Sequence, residues 1–446
     1  MNNLLPQKLT PAFHPLNAEG TRPLPKGSLW DLVRGTKTYF TLLFSVLLIA
    51  GCQRHIPKES MWEGIVELPE NKLLAFRMHV DLAASPASGY FLVGDEKTPI
   101  PEIIQRGDSL IFLFTEYGAE MRAQWDGSKL QGTYFRFRSD TTTMQFSALT
   151  ASTNMVPTHN EATTVPPVGK YQVYFSTPGG VDSATVATFW VKGDTLYGTL
   201  IAPDGDYGLL VGQQFGKRVQ LGRFTGWQAT MIELNQSFGN WIGRVYFRKE
   251  TPRVFLLEPL PTLPKEKLGT RKTAMKNPRE PFMFSGITIE GDTLTQTDAR
   301  WKGKALLIDI MGTWCHNCMD EAPVLQQLYS EFKDEGLEII GLSFEIQDDY
   351  ELAKKNLTMY RDRFGITFPL LYCGTVDEPN VQERILNQVT DFFAYPTSFF
   401  VGRDGRVQAI HIGFKGPGTG EEYQHQVQEF YEAVRKVLGE NSVTSK

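Results

Sequence analysis

Cysteine is scarce. Cys52, Cys315, Cys318 and Cys373 are the only four in 446 residues, too few for a disulfide-stapled scaffold, so each needs its own account. Basic excess is missing too: 45 Lys and Arg against 50 Asp and Glu leave a net charge of −5, which argues against a nucleic-acid binder. The apolar stretch FTLLFSVLLIA at 40–50 is, at about eleven residues, too short to span a bilayer. It fits the h-region of a signal peptide behind Arg34 and Lys37. What remains is ordinary: 41% hydrophobic and 21% charged residues allow packed cores and exclude wholesale disorder. The length suits roughly three domains.

The apolar stretch ends Leu48-Ile49-Ala50-Gly51-Cys52, small residues directly before a cysteine. This resembles the lipobox of bacterial lipoproteins. The resemblance implies that 1–51 is a signal segment, that the Cys52 thiol is acylated, and that the mature chain is lipid-anchored in the bacterial envelope, facing the periplasm.

Two stretches punctuate the mature chain. Residues 150–168 are rich in Thr, Asn and Pro, and 259–267, PLPTLPKEK, repeats proline as a stiff linker does. Up to the second of them the sequence reads as short strands: Trp62–Leu68, Ser109–Thr115, Gln131–Arg138, Tyr171–Ser176, Thr185–Val191, Val219–Phe224 and Gly243–Arg248 mix β-branched and aromatic residues. No convincing helical run interrupts them. An internal echo joins the halves. Phe114-Thr115-Glu116-Tyr117 resembles Phe224-Thr225-Gly226-Trp227, and Gly132-Thr133-Tyr134-Phe135-Arg136 resembles Gly243-Arg244-Val245-Tyr246-Phe247-Arg248, at offsets of about 110 residues. Two related β modules, 52–150 and 168–258, are expected.

From about 280 strands and helices alternate. Strands are expected at Ala305–Ile310, Leu337–Phe344, Phe368–Leu371, Ser398–Val401 and Val407–Ile412. Helices are expected at Cys315–Lys333, Tyr350–Phe364, Val381–Phe392 and Glu421–Leu438. Such alternation implies an α/β domain over 280–440.

Its chemistry is concentrated where a buried strand, Leu306-Leu307-Ile308-Asp309-Ile310-Met311, runs through Gly312-Thr313-Trp314 into Cys315-His316-Asn317-Cys318. A Cys-x-x-Cys there puts the first sulfur at a helix N-terminus, where unpaired N–H groups and the dipole stabilise a thiolate. The first cysteine attacks and the second resolves the mixed disulfide. Haem attachment would require a histidine after Cys318, where Met319 stands. Structural zinc would require a second ligand pair, which is missing. A peroxidatic Pro-x-x-x-Thr-x-x-Cys site is not found.

Trp314 before the pair, Glu321-Ala322-Pro323 after it, Tyr395-Pro396-Thr397 before a strand, the Arg403-Asp404-Gly405 turn and Gly413-Phe414-Lys415-Gly416-Pro417 occur in order. Residues 280–440 thus resemble the thioredoxin superfamily, its TlpA/ResA-like branch in particular. The resemblance implies a thioredoxin-like α/β domain behind an all-β region, and a thiol-disulfide oxidoreductase whose redox-active disulfide is Cys315–Cys318. It implies Asp309, six residues before Cys315, as a buried proton relay for Cys318, against the plainer reading of a solvated strand-end aspartate. It also implies a cis Pro396 that, with Trp314 and Tyr395, receives the substrate.

No cofactor or metal is needed, because the cysteine pair is itself the redox centre. The resemblance implies as partners envelope protein thiols or disulfides, including cytochrome c maturation clients, with an upstream membrane electron donor. The resemblance favours a reductase over an oxidase. His316-Asn317 depart from the family's usual x-Pro dipeptide; the imidazole is either a promoter of the Cys315 thiolate or an exposed spectator. Cys373 reads as a buried free thiol at a strand end, with a third redox thiol the sharper reading. His411 reads as a satisfied strand histidine, and Glu345 as a second carboxylate near the site or a solvated strand end. The rival reading is a binding lipoprotein whose β modules capture a partner or glycan, the C-terminal domain being structural.

Overall fold

The computed structural model describes residues 55–137, 141–151, 166–248, 250–261, 272–376 and 385–439. Cys52 and the apolar stretch before it lie outside them. Among the described residues no helix is long and apolar enough to cross a membrane.

The all-β region is two nine-stranded antiparallel sheets of matching connectivity. In the first, Glu59–Leu68 pairs with both Lys72–Asp81 and Thr141–Thr150. In the second, Gly169–Thr177 pairs with both Gly180–Lys192 and Arg253–Leu260, and Gly180–Lys192 also joins Thr195–Ala202. That last pairing closes the second sheet into a barrel. Alternation drives both sheets: along Ser109–Phe114, Leu110, Phe112 and Phe114 are buried and their neighbours are not. Each element of the echo takes the same place in both sheets. Phe114 and Phe224 end equivalent strands, and Gly132 and Gly243 lie inside equivalent strands. The strand Arg253–Leu260 reaches past the expected start of the second linker at 259; Pro259 pairs with Tyr171.

The two sheets pack on each other through aromatic rings. Phe224 meets Phe76 at 5.2 Å and Phe91 at 5.3 Å between centroids. Gly222 is held to glycine by Leu74, whose methyl a Cβ would overlap. Arg223 of the second module, almost fully buried, clasps Glu96 of the first with both terminal nitrogens, at 2.8 and 2.5 Å. Met in place of Arg223 strands Glu96 without its cation. Because that carboxylate keeps partial access to water, the cost expected is about 3 kcal/mol, the low end for a broken buried pair, read from denaturant unfolding.

An α/β domain follows the two sheets. Its sheet runs Thr293–Thr295, Ser285–Thr288, Leu370–Thr375, Leu337–Glu345, Ala305–Met311, Thr397–Val401, Val407–Ile412. Ala305–Met311 is parallel to Leu337–Glu345 and antiparallel to Thr397–Val401. Helices α1 (His316–Phe332), α2 (Tyr350–Phe364) and α3 (Glu421–Leu438) accompany it. Two sequence expectations are corrected. Within the described part of 381–392 only Ile385 and Leu386 are helical; Val389–Thr390 is instead a short strand paired with Ala274–Met275. The β-branched Val389 and Thr390 suit that pairing better than a helix. The strand expected at Phe368–Leu371 runs Leu370–Thr375, so Cys373 lies inside it, the prolyl residue Pro369 having no N–H to contribute to the ladder.

One continuous apolar cluster links Trp62 and Phe112 of the first module and Phe224 and Met231 of the second to Cys315, Cys318 and Met319 of α1.

Candidate active site

Ala305–Met311 is buried along its whole length, and its alternation sorts its side chains by face. Leu306, Ile308 and Ile310 enter a core on one side; Leu307 and Met311 join the cluster that holds α1. Asp309, in register with them, shares that second face. The chain then turns through Gly312 and Thr313, and Cys315 becomes the N-cap of α1, its Sγ accepting the Cys318 N–H at 3.2 Å. Cys315 and Cys318 are joined as a disulfide, Cα atoms 5.2 Å apart. Cys318 is fully enclosed and Cys315 is 6% exposed.

The loop before the pair is anchored from the sheet. Buried Glu345 accepts from Thr313 N–H at 3.1 Å, Thr313 Oγ1 at 2.6 Å and Ser343 Oγ. It is a buried carboxylate beside the site rather than a solvated strand end. Trp314 Nε1 donates to Phe344 O at 2.8 Å, and its ring meets Tyr395 edge-on at 5.3 Å. The Tyr395–Pro396 bond is cis. The sequence-named Trp314, Cys315, Tyr395 and Pro396 thus belong to one neighbourhood.

Beneath the pair lie two carboxyls. Asp309 is buried, with one carboxyl oxygen lacking a protein partner; burial pushes its pKa up to about 8. Glu321, one turn after Cys318, accepts from Ser398 Oγ at 2.8 Å. Burial, and then Asp309 beside it, raise its pKa well above the carboxylate range. Tyr360, buried on the same side, donates to Cys318 O at 2.7 Å. Glu321 was quoted in the sequence only as a neighbour of Pro323. Its spacing from Cys318 carries a signal, since three residues later in a helix returns to the same face.

His316 is neither an exposed spectator nor a cation beside the thiolate. Its ring packs on Trp227 of the second module at 5.4 Å, and Nε2 is 3.2 Å from Asp320 Oδ2. Burial, with the Arg223 charge adding to it, pushes the imidazole down to about 3, while burial raises Asp320. The imidazole therefore presents no positive charge to Cys315. Asn317 packs on Gly205, where a Cβ would overlap its amide. His411 stays in its strand, its ring against Phe430 at 4.9 Å. Cys373 is a buried thiol outside the disulfide, its Sγ 3.6 Å from Ser285 O.

The β modules therefore form part of the site. Tyr117 and Trp227 stack face to face at 4.9 Å, and the Tyr117 hydroxyl reaches Met319 Sδ at 3.1 Å. Asp206 accepts from Gly416 N–H at 2.5 Å, binding the second module to the loop after the last strand.

A disulfide-bonded cysteine pair capping a helix, with buried acids and a cis-proline loop nearby, is the arrangement of a thiol-disulfide oxidoreductase of thioredoxin fold. Sequence relatives share this class. The AhpC/TSA family model matches residues 280–410. Thiol-disulfide oxidoreductase ResA of Bacillus thuringiensis (strain Al Hakam) is 30% identical over 142 residues, covering 32% of this chain and 73% of the relative. Thioredoxin-like protein YneN of Bacillus subtilis (strain 168) is 28% identical over 130 residues, 29% and 68% of the two chains. A solved thiol:disulfide interchange protein from Chlorobium tepidum TLS is 24% identical, with a TM-score of 0.29, covering 37% of this chain and 100% of that one. The chain belongs to the ResA-like thiol-disulfide oxidoreductases of the thioredoxin superfamily.

Proposed function

We propose that this protein reduces disulfides of envelope proteins, held at the membrane by a lipid on Cys52 and recharged by a membrane dithiol donor. The observation that carries the reading is the redox pair itself: Cys315 caps α1 in the position that favours a thiolate, while Cys318 is enclosed above a buried acid. In the reduced enzyme the Cys315 thiolate attacks one sulfur of the substrate disulfide. A Cys315–substrate bond forms and one substrate thiolate leaves. Cys318 passes its proton to the Asp309 carboxylate, attacks Cys315 Sγ and expels the second substrate thiolate. Two electrons pass to the substrate, and the enzyme disulfide is reduced again by the donor dithiol. Trp314, Tyr395 and cis Pro396 flank the approach, the proline loop offering backbone to an extended substrate. In this reading 1–51 is the signal segment, 52–150 and 168–258 are the two β modules, and 280–440 is the catalytic domain.

A Cys318→Ser variant expressed in a bacterial envelope tests the reading. It accumulates mixed disulfides with extracytoplasmic proteins through Cys315, resolved by non-reducing electrophoresis and lost in the Cys315→Ser/Cys318→Ser double variant. Failure to accumulate adducts, with the wild-type pair reduced in the cell, overturns it.

A further inference from the structure

The first residue of α1 after its cysteine cap is a histidine that both β modules help to enclose. His316 and Cys315 line one cleft, and the imidazole is only 11% exposed. Trp227 of the second module packs against the ring at 5.4 Å between centroids. Gly208 of the same module closes over it: a Cβ there would stand 3.1 Å from His316 Nε2 and 2.9 Å from Arg223 Nε. Arg223 is locked in turn, its Nε donating to Gln228 Oε1 at 2.9 Å and its terminal nitrogens to Glu96 of the first module. The charged groups around the ring come from every element packed there: Asp320 on α1, Arg363 on α2, Glu96 from the first module, Asp206 and Arg223 from the second. Arg136 and Arg248 line the cleft shared with Cys315, and Asp95, Lys97 and Lys192 line a second cavity that the imidazole also borders. Burial dominates that balance, and the ring stays unprotonated at neutral pH.

We infer that the β modules set the reduction potential of the cysteine pair: Trp227, Gly208 and the Arg223–Glu96 pair are positioning residues that act on Cys315 through His316, sealing its ring from water. The inference rests on the disulfide-reductase reading and gives that direction of electron flow a cause. When a donor dithiol reduces the pair, the Cys315–Cys318 bond breaks, two electrons enter, Cys318 takes a proton and Cys315 emerges as the thiolate. The donor leaves as a disulfide. An imidazolium beside that thiolate would stabilise the reduced form, and a stabilised reduced form makes a disulfide a strong oxidant. A sealed, neutral imidazole withholds that stabilisation, so the dithiol gives up its electrons readily. Histidine at this position is compatible with a reducing pair because the modules cover its ring.

The full chain in a glutathione redox buffer tests this, its thiols trapped by alkylation and counted by mass. At neutral pH Trp227→Ala lets water reach His316, which regains an ordinary histidine pKa of about 6.5 and pairs with the thiolate. The equilibrium constant for reduction of the pair by glutathione rises about tenfold, equivalent to about 30 mV. The Cys315 thiol pKa, followed by thiolate absorbance in the reduced protein, falls by about one unit. Both shifts disappear by about pH 9.5, once the imidazole has lost its proton. Trp227→Ala/His316→Gln returns both quantities to their wild-type values. No shift in Trp227→Ala, or a shift that survives in the double variant or at high pH, overturns the inference. A measurement on the unaltered chain is independent of any folding defect. The His316 ring resonance, assigned by its absence in His316→Gln, stays constant from about pH 5 to 8, and titration at about 6.5 overturns the inference as well. A pair that never equilibrates with glutathione while His316 stays neutral overturns the thiol-exchange reading instead.

Discussion

Cys315→Ser lowers disulfide reduction to the uncatalysed background, a loss on the order of 10³-fold or more, while Cys318→Ser still releases one thiol equivalent per enzyme. The asymmetry follows from where the two sulfurs stand. Cys315 is the N-cap, its Sγ accepting the Cys318 N–H, so the helix end stabilises a thiolate that a serine hydroxyl cannot form at neutral pH. Cys318 is enclosed and acts only after Cys315 carries the substrate. Stopped-flow release of a chromophoric thiol separates the steps, with circular dichroism checking the fold of each variant. Residual steady-state turnover in Cys315→Ser would assign the attacking sulfur elsewhere.

Asp309→Asn slows the resolving step by about a hundredfold and removes a pH inflection near 8. Burial holds the Asp309 carboxyl at about 8, so the fraction able to accept the Cys318 proton grows as pH rises toward that value. The resolving rate climbs with it in the wild type and stays flat in the variant. Stability moves the opposite way. An unfolded aspartate ionises near pH 4 whereas the folded one stays protonated up to about 8, so between these values the folded state binds more protons. Stability is then fully present below pH 4 and declines as pH rises, by at most about 1.4 kcal/mol per pH unit. Urea unfolding across pH 4–9 shows a shallower decline for Asp309→Asn. Glu321→Gln leaves the inflection near 8 in place, because burial alone raises Asp309 whereas Asp309 raises Glu321.

Much of this site could be read from linear order, because its chemistry is local. The strand before Cys315, the helix it caps, Asp309 in phase with the α1-facing side chains, and Tyr395-Pro396-Thr397 each sit within a few residues of their partners or on an adjoining strand. The β region was legible as strands and as a repeat, but only seven of its eighteen strands were marked out. Short polar-rich strands such as Glu102–Arg106 owe their conformation to neighbours on the sheet rather than to their own composition. His316 could not be placed from sequence, because its neutrality comes from Trp227, Arg223 and burial contributed by a segment far away in the chain. The echoed Tyr117 and Trp227 were visible as a repeat, but nothing in the sequence aimed them at the redox helix.

The apolar cluster joining Trp62, Phe224 and Met319 has a consequence for how the chain behaves when cut. Met319 and Ala322 of the redox helix are buried in the same cluster as side chains of both sheets, so a fragment beginning near 280 would present a wet, sticky helix face where the native chain has a dry one. The catalytic portion is therefore expected to be poorly soluble alone. The intact chain is expected to melt as one cooperative unit in calorimetry, instead of shedding its N-terminal sheets first.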